Sequence, residues 1–259
     1  MLDIESNLFL VSISYDGTSF YGWSEQLNFI TVQGLIQKRL SSVFKCKVKI
    51  LASSRTDRGV HALDQNFTVR IPFEISSVEL ELILRKSLRD FIVVNSVRKV
   101  NNDFHPINDV KLKEYRYYIK TGAFDIFKDN YCWNFNLPIV VNKFRKIIKN
   151  FQGTHDFFNF SYCRFRNKNK KNTIRTIEKI IVLKKDDFVV IRIIAKGFVR
   201  YQIRAIVGES LHYYRFDKDV NHLRSRLNGL VDMKYKNIAP SSGLYLWKIN
   251  FIKEKMQLQ

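Results

Sequence analysis

Apolar positions in the first hundred residues change period in a readable order. Phe9, Val11, Ile13 and Tyr15 recur at a period of two, which predicts a strand ending at the Asp16-Gly17 turn. Val32, Leu35, Ile36, Leu40 and Val43 recur at helical spacing. Val48, Ile50 and Ala52 alternate with Lys47, Lys49 and Leu51, and Phe67, Val69 and Ile71 alternate with Asn66, Thr68 and Arg70, which predicts two further strands. Ser76 stands three before Glu79, a capping-box spacing, ahead of Val78, Leu82 and Leu88. FIVVNSVRKV then reads as another strand. The order is β-α-β-β-α-β, the split ferredoxin-like arrangement.

The second half repeats that order more loosely. KEYRYYIKT predicts a strand, VNKFRKIIKNF an amphipathic helix, and TIEKIIVLKK with DFVVIRIIA a hairpin around Asp186-Asp187. FVRYQIRAIVGESLHYY reads as a helix with Val199, Ile203, Ile206, Val207 and Leu211 on its apolar stripe, and LYLWKINF as a closing strand. The halves share element order, not sequence identity. The expectation is an α+β protein of two units whose sheets join across a cleft. Pro106 and the Asn and Asp residues of NNDFHPINDVKL place the seam between 101 and 112, dividing the chain into 1–105 and 106–259.

Charge narrows the class of partner. The 259 residues carry 44 Lys and Arg against 24 Asp and Glu, a formal charge of +20. Such an excess attracts polyanions. It is spread along the chain instead of sitting in one tail, which favours a folded surface following a nucleic-acid backbone over a disordered arm. No apolar run approaches the ~18 residues of a membrane span, and MLDIESNLFL has no positively charged start, so neither a membrane segment nor a secretory signal is expected. Cys46, Cys132 and Cys163 are widely spaced and form no CxxC pair, so disulfides and zinc have no support and a reducing, intracellular (cytoplasmic) compartment is expected. Neither GxxxxGK nor GxGxxG occurs, so no nucleotide cofactor is expected.

Four stretches offer chemistry. SSRTDRGVHA places Asp57 between Arg55 and Arg58 on a loop flanked by two strands, beside Gly59. Either guanidinium would keep that carboxylate ionised. Spacing alone favours a structural salt bridge over a catalytic anion. Arg200 and Arg204, at i and i+4, fall on one helix face and read as a solvated basic face or as lining for an RNA cleft. In KEYRYYIKT, Tyr115 and Tyr117 face one side and Arg116 and Tyr118 the other. Such aromatics are ordinarily core, but a tyrosine at a cleft is what stacking on an extruded base requires. CRFRNKNKKNTIR holds Arg164, Arg166, Lys168, Lys170, Lys171 and Arg175 without one acid, which suits phosphate contact. In SYDGTSFYGW, Phe20, Tyr21 and Trp23 are expected to pack beneath the Asp16-Gly17 turn.

Together these stretches resemble the TruA family of tRNA pseudouridine synthases. The likeness runs from about residue 9 to residue 250 through SYDGTSFYGW, TVQG, SSRTDRGVHA, NDFHP, KEYRYYI, FQGTHDFFNF, FVRYQIRAIVG and SSGLYLWKI, in that order. It implies two ferredoxin-like units sharing a central antiparallel sheet, the pseudouridine synthase fold. It also implies isomerisation of uridine to pseudouridine in the anticodon stem-loop of tRNA at positions 38 to 40, by a homodimer, without metal or organic cofactor. The resemblance makes Asp57 the catalytic carboxylate, Arg204 its partner and Tyr115 the residue stacking on the target base. Arg55, Arg58, Arg200, Lys168, Lys170 and Lys171 are then expected to contact the RNA. A silent RNA-binding protein of the same fold and a synthase acting at another tRNA position are the competing readings. Ser54 and Arg58 stand where the family commonly has Gly and Ala, Arg200 where it often has His, and Ser241-Ser242 where a small residue and an acid are usual. These departures bear on substrate preference.

Overall fold

A computed structural model describes residues 7–123, 125–161, 173–229 and 237–256. The chain forms a mixed α+β protein that divides into two compact units, Met1–Lys113 with Tyr245–Gln259 and Glu114–Leu244. The division thus falls a few residues beyond the expected seam at 105/106. The closing strand belongs to the first unit, because it pairs with that unit's sheet.

In the first unit the order is β1 (Asn7–Tyr15), α1 (Val32–Phe44), β2 (Ile50–Ala52), β3 (His61–Ile71), α2 (Ser77–Leu88) and β4 (Ile92–Lys99), the order that the periodicity predicts. Strand β1 lies between β4 and β3, antiparallel to both, with Phe9 opposite Val69 and Lys99. Phe67, Thr68 and Val69 of β3 pair with β2. At its other end, His61 and Ala62 pair in parallel with Tyr245 and Leu246 of the closing strand.

Thr31 caps α1 by accepting from the Gly34 N–H, and the Ser76–Glu79 capping box is complete at α2. The expected stripe of α2 is corrected, however. Leu88 is buried as expected, but Val78 and Leu82 are exposed, and Leu80 and Leu84 are buried in their place. Leu80, Leu84 and Leu88, at i, i+4 and i+8, share one face of α2, and the helix packs against β4.

The second unit continues β5 (Val110–Lys120), which begins in the first, with β6 (Trp133–Asn134), α3 (Val141–Ile148), β7 (Gly153–Asp156), β8 (Ile174–Lys185) and β9 (Phe188–Ala195). Two helices, α4 (Gln202–Arg215) and α5 (Val220–Leu227), follow, and β10 (Leu244–Phe251) returns the chain to the first unit. The strand order is β5-β9-β8-β7, with β6 beside β5. The β8–β9 hairpin turns at Asp186-Asp187 as predicted, with Asp186 in the left-handed region. Tyr117, Ile119, Phe144, Phe151, Phe160, Ile191, Ile193 and Ile206 are fully buried and form this unit's core.

Candidate active site

Asp57 lies half-buried on the loop between β2 and β3, and the first unit fixes that loop carbonyl by carbonyl. Lys113 Nζ donates to the Ser53 carbonyl at 2.6 Å, Gln65 Nε2 to that of Ser54 at 2.8 Å, and the Trp23 N–H to that of Thr56 at 3.1 Å. The Asp57 carbonyl accepts from the Val60 N–H at 3.2 Å, closing a turn over Gly59, whose φ of 77° suits glycine. Tyr15 Oη and Thr56 Oγ1 are 2.8 Å apart, and burial pushes the Tyr15 phenol up to about 12.

SYDGTSFYGW is the backing of this loop, which explains its glycines. A Cβ on Gly17 would lie 2.2 Å from the Val60 carbonyl oxygen, and one on Gly22 2.9 Å from that of Thr56. Phe20 and Trp23 are buried beneath it, as expected. Tyr21 is not: it is exposed, and the Arg58 guanidinium lies 4.1 Å above its ring centroid. Gly22, at a φ of 89°, turns Tyr21 outward while it lets the backbone touch the Asp57 loop. Arg55 and Arg58 are both exposed.

Lys113 is a site residue that the motifs do not announce, although alternation marks it: it shares strand parity with the buried Tyr115 and Tyr117. Desolvation pushes its ammonium down to about 8. Below that pH native and unfolded chains are both protonated, and the burial cost, about 3 kcal/mol, is fully present. Between about 8 and the ordinary 10.5 the unfolded chain holds the proton that the native state has released, so stability rises with pH there. Lys113→Met should flatten that rise. Calorimetric Tm against pH for both proteins checks it, and equal slopes would move the proton elsewhere.

The second unit holds Tyr115 and Arg204. Tyr115 is 5% exposed, with its ring edge-on to Phe198 at 5.3 Å. The helix expected to begin at Phe198 begins at Gln202 instead, because Tyr201 takes a φ of 63° and the Gln202 side chain accepts from the Val199 N–H. Arg200 therefore precedes α4 and is not on a helix face with Arg204. The two guanidinium carbons nonetheless lie 5.1 and 5.0 Å from the same Tyr201 ring centroid.

Arg204 Nε donates to the Ala239 carbonyl at 2.7 Å, and its own carbonyl accepts from the Ala239 N–H at 3.0 Å. Residues 237–240 are held in turn by Glu209, which accepts from the Asn237 N–H, and by the Tyr117 hydroxyl, which donates to the Pro240 carbonyl. Glu209 is itself buried and paired with Arg226 at 3.1 Å. Lys168, Lys170 and Lys171, with Arg164 and Arg166, lie outside the described residues. Among the described residues no three His, Cys, Asp or Glu side chains are grouped to hold a metal ion, and no helix is long and apolar enough to cross a membrane.

A family model described as tRNA pseudouridine synthase matches residues 147–251. Curated relatives extend the match to nearly the whole chain. The tRNA pseudouridine synthase A of Malacoplasma penetrans is 36% identical over 244 residues, 92% of this chain and 97% of that protein. Those of Mesoplasma florum and Thermosipho melanesiensis are 38% and 31% identical and cover 94% of this chain, with 98% and 99% of the relatives' own lengths. The chain belongs to the tRNA pseudouridine synthase A family, whose members are isomerases.

Proposed function

We propose that this chain isomerises uridine to pseudouridine in the anticodon stem-loop of tRNA, at positions 38 to 40, with Asp57 as the catalytic carboxylate. The observation that carries the reading is the loop itself. Backbone carbonyls at Ser53, Ser54, Thr56 and Asp57 are each tied down, so a half-buried anion sits on a backbone whose position is set before any substrate arrives.

The reaction breaks the N1–C1′ bond, turns the base and joins C5 to C1′. C5 loses its proton, N1 gains one, and no net oxidation occurs, so no external reagent is required. Asp57 acts as the nucleophile, on the base or on a ribose-derived centre. Arg204 balances the carboxylate's charge, and Tyr115 stacks on the extruded uridine, offsetting an unstacking cost of a few kcal/mol. Arg55, Arg58 and Arg200 contact the RNA. The chain works in the cytoplasm as a homodimer without cofactor.

Incubating the protein with an unmodified tRNA transcript and mapping pseudouridine by position tests the reading. Product at 38 to 40 supports it. Product elsewhere moves the site, and binding without product would leave a silent RNA-binding protein.

Lys168, Lys170 and Lys171 neutralise phosphates in this reading. Replacing all three with Glu should weaken tRNA binding and flatten the dependence of log Kd on log salt by about 0.7 to 0.9 per lost contact. An unchanged slope would remove these three lysines from the interface.

A further inference from the structure

Beside the Asp57 loop stands a ladder of three flat groups, of which the proposed function uses only Arg58, as an RNA contact. The Arg58 guanidinium carbon is 4.1 Å from the Tyr21 ring centroid, and the Phe29 ring is stacked 4.2 Å from that centroid at 27°. One ring face cannot hold both at that separation, so Arg58 and Phe29 take opposite faces of Tyr21. Tyr21 is 36% exposed and Phe29 48%, and Leu27 and Ile30 beside them are exposed at 89% and 62%.

This is not a frayed loop end. The Tyr21 N–H donates to the Ile30 carbonyl at 2.9 Å, and Gln26 Nε2 donates to the Tyr21 carbonyl at 2.9 Å. Gly22 seats the segment directly on Thr56, Asp57 and Arg58. The ladder is thus fixed to the same backbone that carries the catalytic aspartate, with its cationic member next to Asp57 in the chain.

Packing within the protein does not require this arrangement. Exposed cation–π and aromatic pairs contribute only about 0.5–1.5 kcal/mol each, while clustered exposed apolar side chains mark a place where something docks. The occupant must have a π face and carry negative charge, and it must arrive beside Asp57. An unpaired nucleobase with its phosphate meets all three conditions.

We infer that Arg58, Tyr21 and Phe29 form a stacking platform for an unpaired base next to the target uridine, so that the base's face extends the ladder and its phosphate meets the guanidinium. The inference rests on the proposed tRNA activity and sharpens it. It gives Arg58, which stands where the family commonly has Ala, a role in choosing which uridine enters, by requiring a neighbour that can leave its stack.

Two readouts test it with the full-length chain and tRNA transcripts carrying 2-aminopurine on the 5′ or the 3′ side of the target. Binding should quench 2-aminopurine fluorescence on one side in the wild type and in Asp57→Asn. Arg58→Ala, which removes the plane the base rests on, and Tyr21→Leu, which removes the ring that holds that plane, should lose the quench and raise KM about tenfold, the size of one stacking contact to a base, with little change in kcat. Arg58→Lys keeps the charge but not the plane, so it should behave like Arg58→Ala.

Full rescue by Lys would overturn the platform in favour of a simple phosphate contact. No quench on either side in the wild type would also overturn it. So would an altered oligomeric state in Tyr21→Leu with unchanged KM, which would make the patch a contact between copies of the chain. If the wild type forms no pseudouridine, the tRNA reading fails, and the quench still reports on the platform.

Discussion

Asp57→Asn should abolish pseudouridine formation, lowering kcat by about 10⁴-fold or more, the loss seen when a catalytic group acting as part of a unit is removed. Asn keeps the shape and removes the charge. It leaves the Ser53, Ser54, Thr56 and Asp57 carbonyl bonds in place, because none of them uses the carboxylate. tRNA binding and thermal stability should therefore survive, the latter within about 1 kcal/mol of the wild type. Rate, Kd and Tm measured on one preparation separate this outcome from simple misfolding. A variant that unfolds would make Asp57 structural, and one that still turns over would remove it from the mechanism.

Gly208→Ala should be the most damaging small substitution in the second unit. In a helix interior the exchange ordinarily stabilises by about 1 kcal/mol. Here the added Cβ would stand 2.2 Å from the Asn237 carbonyl oxygen and 2.7 Å from its carbon. These are backbone atoms and cannot rotate away. The segment is also pinned by Glu209, by Arg204 and by the Tyr117 hydroxyl, so it cannot shift without breaking those bonds. The expected result is a net loss of about 2–3 kcal/mol in denaturant unfolding. Activity should fall further than stability alone explains, because Ala239 holds the Arg204 guanidinium. Wild-type stability and turnover would show that the segment yields freely.

The alternating strands and the two capped helices of the first unit are legible because each depends on local spacing or on a cap three residues away. The stripe of α2 is not, because Val78 and Leu82 fit a helical period as well as Leu80 and Leu84 do, and only the sheet decides which face turns inward. The start of α4 is hidden for another reason: propensity says nothing of a tyrosine forced to positive φ. Motif order points to Asp57, Tyr115 and Arg204 but not to what holds them. Lys113 and Gln65 share parity with buried strand neighbours, which flags them as inward polar groups in need of partners. That their partners are the carbonyls of Ser53 and Ser54 is a tertiary fact. So is the outward Tyr21, since aromatics after a turn pack inward unless a glycine at positive φ redirects the chain.

The central claim is that this chain exchanges the N1–C1′ bond of a tRNA uridine for a C5–C1′ bond with Asp57 as its essential group. The direct measurement is tritium release from tRNA labelled at uridine C5, in buffer without added cofactor, because forming the new bond expels the C5 hydrogen. The wild type should release one equivalent of tritium for each uridine converted, and Asp57→Asn should release none while still binding the tRNA. Release by neither protein, or equal release by both, would contradict the account.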